Sequence, residues 1–137
     1  MEESNREIIS ELNVEQLNNL IETIDNSYKN IILVKFTADW CSPCKKIKPM
    51  CDKYFESLPK KVIIFEIDID SQLNLYMFFK KSTIRLVSGI PAMLMWTPNT
   101  ERDKKTWYIP ENSFSGGDIN ELENFFEDIK EKSEDLL

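Results

Sequence analysis

Two stretches of this chain are apolar with almost no polar interruption: Ile31–Thr37, I-I-L-V-K-F-T, and Val62–Ile69, V-I-I-F-E-I-D-I. A strand with one wet face alternates apolar and polar residues. These do not, so they predict central strands covered by helices on both faces. The rest of the pattern supplies the helices. Asn13 with Gln16 three positions later has the form of a capping box. Val14, Leu17, Leu20, Ile21 and Ile24 follow at helical spacing, up to a stop at Asn26-Ser27. Cys44, Ile47, Cys51, Tyr54 and Leu58 trace a second helical face, with Pro49 inside it and expected to kink it for want of an N–H toward the Lys45 carbonyl. Ser71–Lys80 predicts a third helix. A capping-box pair, Asp118 and Glu121, precedes a fourth marked by Ile119, Leu122, Phe125, Phe126 and Ile129.

Ile8–Leu12, Met93–Trp96 and Thr106–Ile109 read as further strands. The alternation predicts an α/β layered sandwich with a mixed sheet. No internal repeat or second composition interrupts it, so residues 1–137 are expected to form one domain, with a core over about 8–129 and a charged, fraying tail at 130–137. The polar stretch Thr97–Lys105 is long for a hairpin connection. Together with Ile109–Ser115 it stands either as a partner-selecting loop or as a neutral surface insertion. The helix from Leu73 to Phe79 is apolar nearly all round, which fits a wide core-facing surface or a patch for a partner or second subunit.

Composition narrows the function. Eight Phe, four Tyr and three Trp supply a packed core, and a net charge of −7 excludes a basic footprint for nucleic acid and disfavours an anionic membrane. The absence of His removes every Ser–His and Cys–His scheme. Three Cys fall short of a closed four-ligand zinc site. No metal, bound cofactor or Gly-rich nucleotide fingerprint is expected. The N-terminus lacks a signal-peptide layout, which with the cysteine usage points to a reducing, cytoplasmic compartment.

The remaining reactive centre is Cys41-Ser42-Pro43-Cys44, at a strand-to-helix junction. Thiols two residues apart can close a disulfide within one turn. A thiol at a helix N-terminus is biased toward thiolate, its pKa lowered from about 8.5 to about 3.5–7.5. Pro43 in the first turn gives up a donor that has no intrahelical partner in any case. Lys45 adds positive potential.

Ile32 to Lys45, with the core Trp40-Cys41-Ser42-Pro43-Cys44-Lys45, resembles the active-site strand and turn of the thioredoxin family. Val87-Ser88-Gly89-Ile90-Pro91-Ala92 is similar to that family's proline loop, and Phe114-Ser115-Gly116-Gly117 to its last loop. The resemblance implies a thioredoxin-like three-layer sandwich. It makes Cys41 the exposed nucleophile and Cys44 the resolving thiol, and it makes the Ile90–Pro91 bond cis. It also implies a substrate face built from Trp40, Ser42, Pro43, Ile90, Pro91 and Gly116. The implied activity is reduction of protein disulfides by a monomer recharged by a separate thioredoxin-reductase-type donor. A binding or chaperone-like module without turnover, and a disulfide oxidase or isomerase, are the rival readings.

The chain departs from the family at Lys35, where many members carry a buried Asp that helps move the proton of the resolving cysteine. Glu66 stands on the strand expected alongside. Two readings stand: a structural ion pair of reversed polarity, or tuning of Cys44 by the Lys35 ammonium. Cys51 shares a helix face with Cys44 and reads as a small core residue, with a regulatory or dimerising thiol as the alternative.

Overall fold

The computed structural model describes residues 6–82 and 86–136. In chain order it contains β1 (Ile8–Ile9), α1 (Val14–Ser27), β2 (Ile31–Thr37), α2 (Ser42–Ser57), β3 (Val62–Asp68), α3 (Leu73–Lys80), β4 (Ala92–Trp96), a 3-10 turn at Lys104–Thr106, β5 (Asn112–Ser115) and α4 (Ile119–Glu134). The strands form one sheet in the order β1-β3-β2-β4-β5. β1, β3 and β2 run parallel, while β4 and β5 are each antiparallel to the neighbour before them. This is the expected mixed sheet in an α/β sandwich.

The two unbroken apolar runs became β2 and β3, paired residue by residue from Ile31–Val62 to Thr37–Asp68. The two sides of β2 feed separate cores. Ile32, Val34 and Phe36 pack with Leu17, Ile21 and Ile24 of α1 and with Phe79 of α3. Ile31 and Leu33 pack with Ile47, Cys51 and Phe55 of α2 and with Phe125, Phe126 and Ile129 of α4. Lys35 has the parity of Ile31 and Leu33, so its side chain enters the second core.

The capping box of α1 is present: Asn13 accepts from the Gln16 amide at 2.8 Å, and the Gln16 side chain accepts from the Asn13 amide at 2.9 Å. Asp118 caps α4 by accepting from the Glu121 amide at 3.1 Å. Helix α2 runs through Pro49 to Ser57. Of the apolar α3 residues, Leu75, Tyr76 and Phe79 are buried and only Leu73 is largely exposed. Helix α3 is therefore mainly core-facing.

Three expectations need correction. Only Ile8–Ile9 of the stretch Ile8–Leu12 pairs as strand. The last strand is Asn112–Ser115 rather than Thr106–Ile109. Thr106 instead ends a 3-10 turn, and Trp107 and Tyr108 are apolar because they pack on Phe78, with ring centroids 5.8 Å and 5.4 Å away. The tail does not fray at Lys130. Helix α4 continues to Glu134, Ser133 is fully buried, and Lys61 Nζ donates to the Ser133 carbonyl at 3.2 Å. Among the described residues, no helix is long and apolar enough to cross a membrane.

Candidate active site

The chain leaves β2 at Thr37, turns through Ala38 to Cys41 and enters α2 at Ser42. Cys41 is the N-cap of α2. Its backbone is extended (φ −84°, ψ 109°), and its Sγ accepts from the Cys44 amide at 3.2 Å. The side chain occupies the place a Ser or Asp cap would take, where the unpaired first-turn N–H groups favour negative charge. Pro43 sits in that first turn.

Cys41 and Cys44 are joined as a disulfide with their Cα atoms 5.2 Å apart. In this bridged form both are buried, Cys41 at 4% exposure and Cys44 at 2%. Cys41, expected to be the exposed member of the pair, is in this bridged form nearly as buried as Cys44.

Three loops meet at this point. Ala92 of β4 lies opposite Phe36 of β2, which sets Pro91 beside the end of β2. The Ile90–Pro91 bond is cis. The Gly116 amide donates to the Pro91 carbonyl at 3.1 Å, tying the loop after β5 to the proline loop. Gly116 has φ +94°, the left-handed region that favours glycine. A Cβ on Gly117 would lie 3.8 Å from Pro43 Cβ. Cys41, Pro43, Pro91, Gly116 and Gly117 therefore come from three connections and share one end of the sheet. Ser42 and Pro43 are exposed there and Ile90 is half-buried.

Trp40 is 65% exposed, the most exposed large apolar side chain among the described residues. Its Nε1–H donates to Asp70 Oδ2 at 2.9 Å. The indole is held in place while its surface stays open beside the dithiol. Gly117 belongs to the loop the resemblance singled out, whereas the sequence offered no sign that Asp70 serves this site.

On the other side of Cys44 an open cleft of about 530 Å³ is lined by Ala38, Asp39, Lys45, Lys48, Glu66 and Asp68, with Cys44 in its wall. Lys35 is 1% exposed, and its Nζ lies 3.0 Å from Glu66 Oε2 and 5.8 Å from the Phe55 ring centre. The expected ion pair exists. Burial would lower the Lys48 pKa, but Glu66 and Asp52 outweigh it and the ammonium is raised.

Cys51 is fully buried among the residues of the second core. Burial pushes its thiol up to about 11, against the pull of the nearby Lys35 ammonium. The unfolded thiol ionises first as pH rises, so the native state holds the extra proton and loses stability. The reduced protein is expected to lose about 2 kcal/mol between pH 9 and pH 11 relative to Cys51→Ala, as read from paired denaturant curves. Equal slopes for the two proteins would contradict burial of this thiol.

Among the described residues, no group of His, Cys, Asp and Glu is arranged to hold a metal ion. The arrangement offers a reversible two-electron couple at a helix N-terminus, with Trp40, Ser42 and Pro43 exposed beside it.

The thioredoxin family model matches residues 9–114. Thioredoxin of Buchnera aphidicola subsp. Schizaphis graminum is 28% identical over 87 residues, which cover 58% of this chain and 75% of that protein. Human thioredoxin is 42% identical over 52 residues, covering 36% of this chain and 46% of its own length. Among solved structures, Trichomonas vaginalis thioredoxin superposes with a TM-score of 0.62 at 22% identity, covering 90% of this chain and 97% of that one. A poplar thioredoxin h gives 0.63 at 18% identity, covering 89% and 95%. These two likenesses are of fold.

Proposed function

The chain belongs to the thioredoxin family, and from that footing we propose that it works chiefly as a reductase of protein disulfides, with Cys41 attacking and Cys44 resolving. It is a thiol–disulfide oxidoreductase whose redox-active pair is Cys41–Cys44. In the proposed cycle the Cys41 thiolate attacks one sulfur of a substrate disulfide, forms a mixed disulfide and expels the other sulfur as thiolate. Cys44, having lost its proton, attacks Cys41 Sγ and closes the intramolecular bridge. The second substrate thiolate leaves and is protonated. Two electrons pass from the dithiol to the substrate, and a separate reductase restores them.

The observation that carries this reading is the position of Cys41 Sγ as the cap of α2, accepting an amide N–H. A thiolate there is stabilised by the same groups that hold the sulfur now. Trp40, Ser42, Pro43, Ile90, Pro91 and Gly116 form the proposed substrate face. The half-buried Ile90 backbone would pair with an extended substrate segment. Pro43 between the cysteines supports reduction over oxidation or isomerisation, as the resemblance implies. A redox pair plus one free buried thiol fits a reducing compartment. The protein is proposed to act in the cytoplasm as a monomer.

The test is reduction of insulin disulfides by dithiothreitol, followed as turbidity. Catalytic amounts of the protein should shorten the onset in proportion to concentration. A rate equal to that of dithiothreitol alone would leave only a binding module. Preferred oxidation of reduced substrates would move the reading to an oxidase.

A further inference from the structure

Helices α1 and α4 begin on side chains that close their first turns, Asn13 and Asp118. Helix α3 does not. Its N-cap, Gln72, makes no capping hydrogen bond, and its first turn holds no acidic residue. Its first residue, Leu73, leaves 53% of its surface in water. The Gln72 side chain instead accepts from the Leu12 amide at 3.0 Å, which ties the turn before α3 to the segment ahead of α1. A helix start that forgoes its cap and exposes a leucine goes against local preference, and such departures gather where a surface is used.

We propose that Leu73 is a specificity-determining residue for disulfide exchange. It receives an aliphatic side chain flanking the substrate cysteine, in a groove that continues the substrate face beyond Trp40. This assignment rests on the reading of Trp40 as part of that face, and deepens it by naming the chemistry of the flanking residue.

The groove is continuous with the dithiol. Trp40 precedes Cys41 directly, and its indole is held by Asp70. Asp70 also lines an open groove of about 390 Å³, together with Leu12, Asn13, Gln72, Leu73 and Asn74. The two most exposed large apolar side chains among the described residues, Trp40 and Leu73, therefore stand on either side of one carboxylate.

The wall is preformed. Asp68 Oδ1 accepts from the Asp70 amide at 2.8 Å, and the Asp68 carbonyl accepts from the Gln72 amide at 2.9 Å. A ligand entering here has little of the turn left to order.

Charge selects the occupant. Charged residues make up 30% of the chain, yet Ser71 to Phe79 contains none. The single ionised group of the groove, Asp70, already serves the indole. A leucine rimmed by the amides of Asn13, Gln72 and Asn74 has the layout of an apolar interface centre inside a polar edge. The groove fits an extended, uncharged, aliphatic segment of a disulfide substrate.

The test uses short peptides whose one cysteine is joined to 5-thio-2-nitrobenzoate. The Cys41 thiolate bonds to the peptide sulfur, the aryl disulfide bond breaks, and the coloured thiolate leaves. The peptides differ only in carrying Leu or its near-isostere Asn at each position within four residues of the cysteine. Rates for reduced protein are divided by those of dithiothreitol on the same peptide, which removes differences in intrinsic reactivity. Wild type should prefer Leu over Asn by about 10-fold on one flank, the scale set by taking one leucine side chain out of water. In Leu73→Asn, which changes no charge, the preference should fall below twofold. Leu73→Met should keep most of it. Melting curves of both variants report the fold, and Leu73 is exposed enough for both to match wild type. A wild-type preference below twofold at every position overturns the proposal, as does a preference that persists in Leu73→Asn. Release from every peptide no faster with wild type than with Cys41→Ser would instead sink the reductase reading.

Discussion

Cys41→Ser brings disulfide reduction down to the rate of the small-molecule reductant alone. A serine hydroxyl stays protonated near neutrality and attacks sulfur poorly, so no mixed disulfide forms and the following step has nothing to act on. The fold should be little disturbed. Cys41 acts as the N-cap of α2, and Ser is among the preferred caps for the amide that Sγ now accepts from Cys44. The partner substitution fails differently. Cys44→Ser leaves the nucleophile in place and removes the sulfur that resolves, so one substrate is captured per molecule. Both variants fall toward background in the insulin assay, but only Cys44→Ser, reduced beforehand and freed of dithiothreitol before substrate is added, yields a covalent adduct on a non-reducing gel. Residual turnover in Cys41→Ser would assign the attack to another group.

Arg102→Ala should be the most damaging substitution far from the dithiol. Its side chain is 7% exposed and bridges two carboxylates, Asp25 at 2.7 Å from Nε and Glu111 at 2.9 Å from Nη2. It also donates to the Thr97 carbonyl at 2.8 Å and the Ile109 carbonyl at 3.2 Å. One guanidinium thus ties the long connection after β4 to α1 and closes that connection on itself. Removing it leaves two carboxylates facing each other with no cation between them. Loss of one partner from a buried ion pair costs about 3–5 kcal/mol. Asp25 and Glu111 are partly exposed and can turn toward water, which sets the expected loss at about 3 kcal/mol. Thermal melting should fall by roughly 10 °C. Arg102→Lys should recover only part of this, because a point ammonium cannot fork between two carboxylates. This connection follows β4, whereas the proline loop precedes it, so the rate of disulfide reduction at 25 °C should change little. A melting point within 2 °C of wild type would show the network to be dispensable.

The sequence carried the central elements because their physics is local or strongly patterned. β2 and β3 were visible as apolar runs, and α1 was visible from its cap and its spacing. The last strand was hidden. Asn112–Ser115 offers one apolar side chain, Phe114, and lies at the sheet edge where little burial is demanded. Thr106–Ile109 imitated a strand because its aromatic residues form a satellite cluster with Phe78 rather than a ladder. The charges at the C-terminus masked a docked helix end, since Lys61, more than seventy residues earlier, is what holds the Ser133 carbonyl.

At the site, the dithiol spacing and its helix position were legible from the residues themselves. The cis Ile90–Pro91 bond was not: it came through resemblance, and the structure has it. The pairing of Lys35 with Glu66 was foreseeable, because a buried ammonium demands an anion. The Asp70 hydrogen bond to Trp40 and the closeness of Gly117 to Pro43 were not, since both depend on how separate loops converge. The same holds for Arg102, whose partners come from α1 and from the far end of its own connection.

The central claim is that the sulfur of Cys41 is ionised and reachable in the reduced protein near neutrality. Alkylation of reduced protein across pH, with each cysteine peptide quantified by mass spectrometry, reads this directly. Cys41 should be modified first, with a midpoint at least one unit below the ordinary thiol value of about 8.5, while Cys51 stays unmodified in the folded state. A Cys41 midpoint at the ordinary value, or modification of Cys44 ahead of Cys41, would contradict the account.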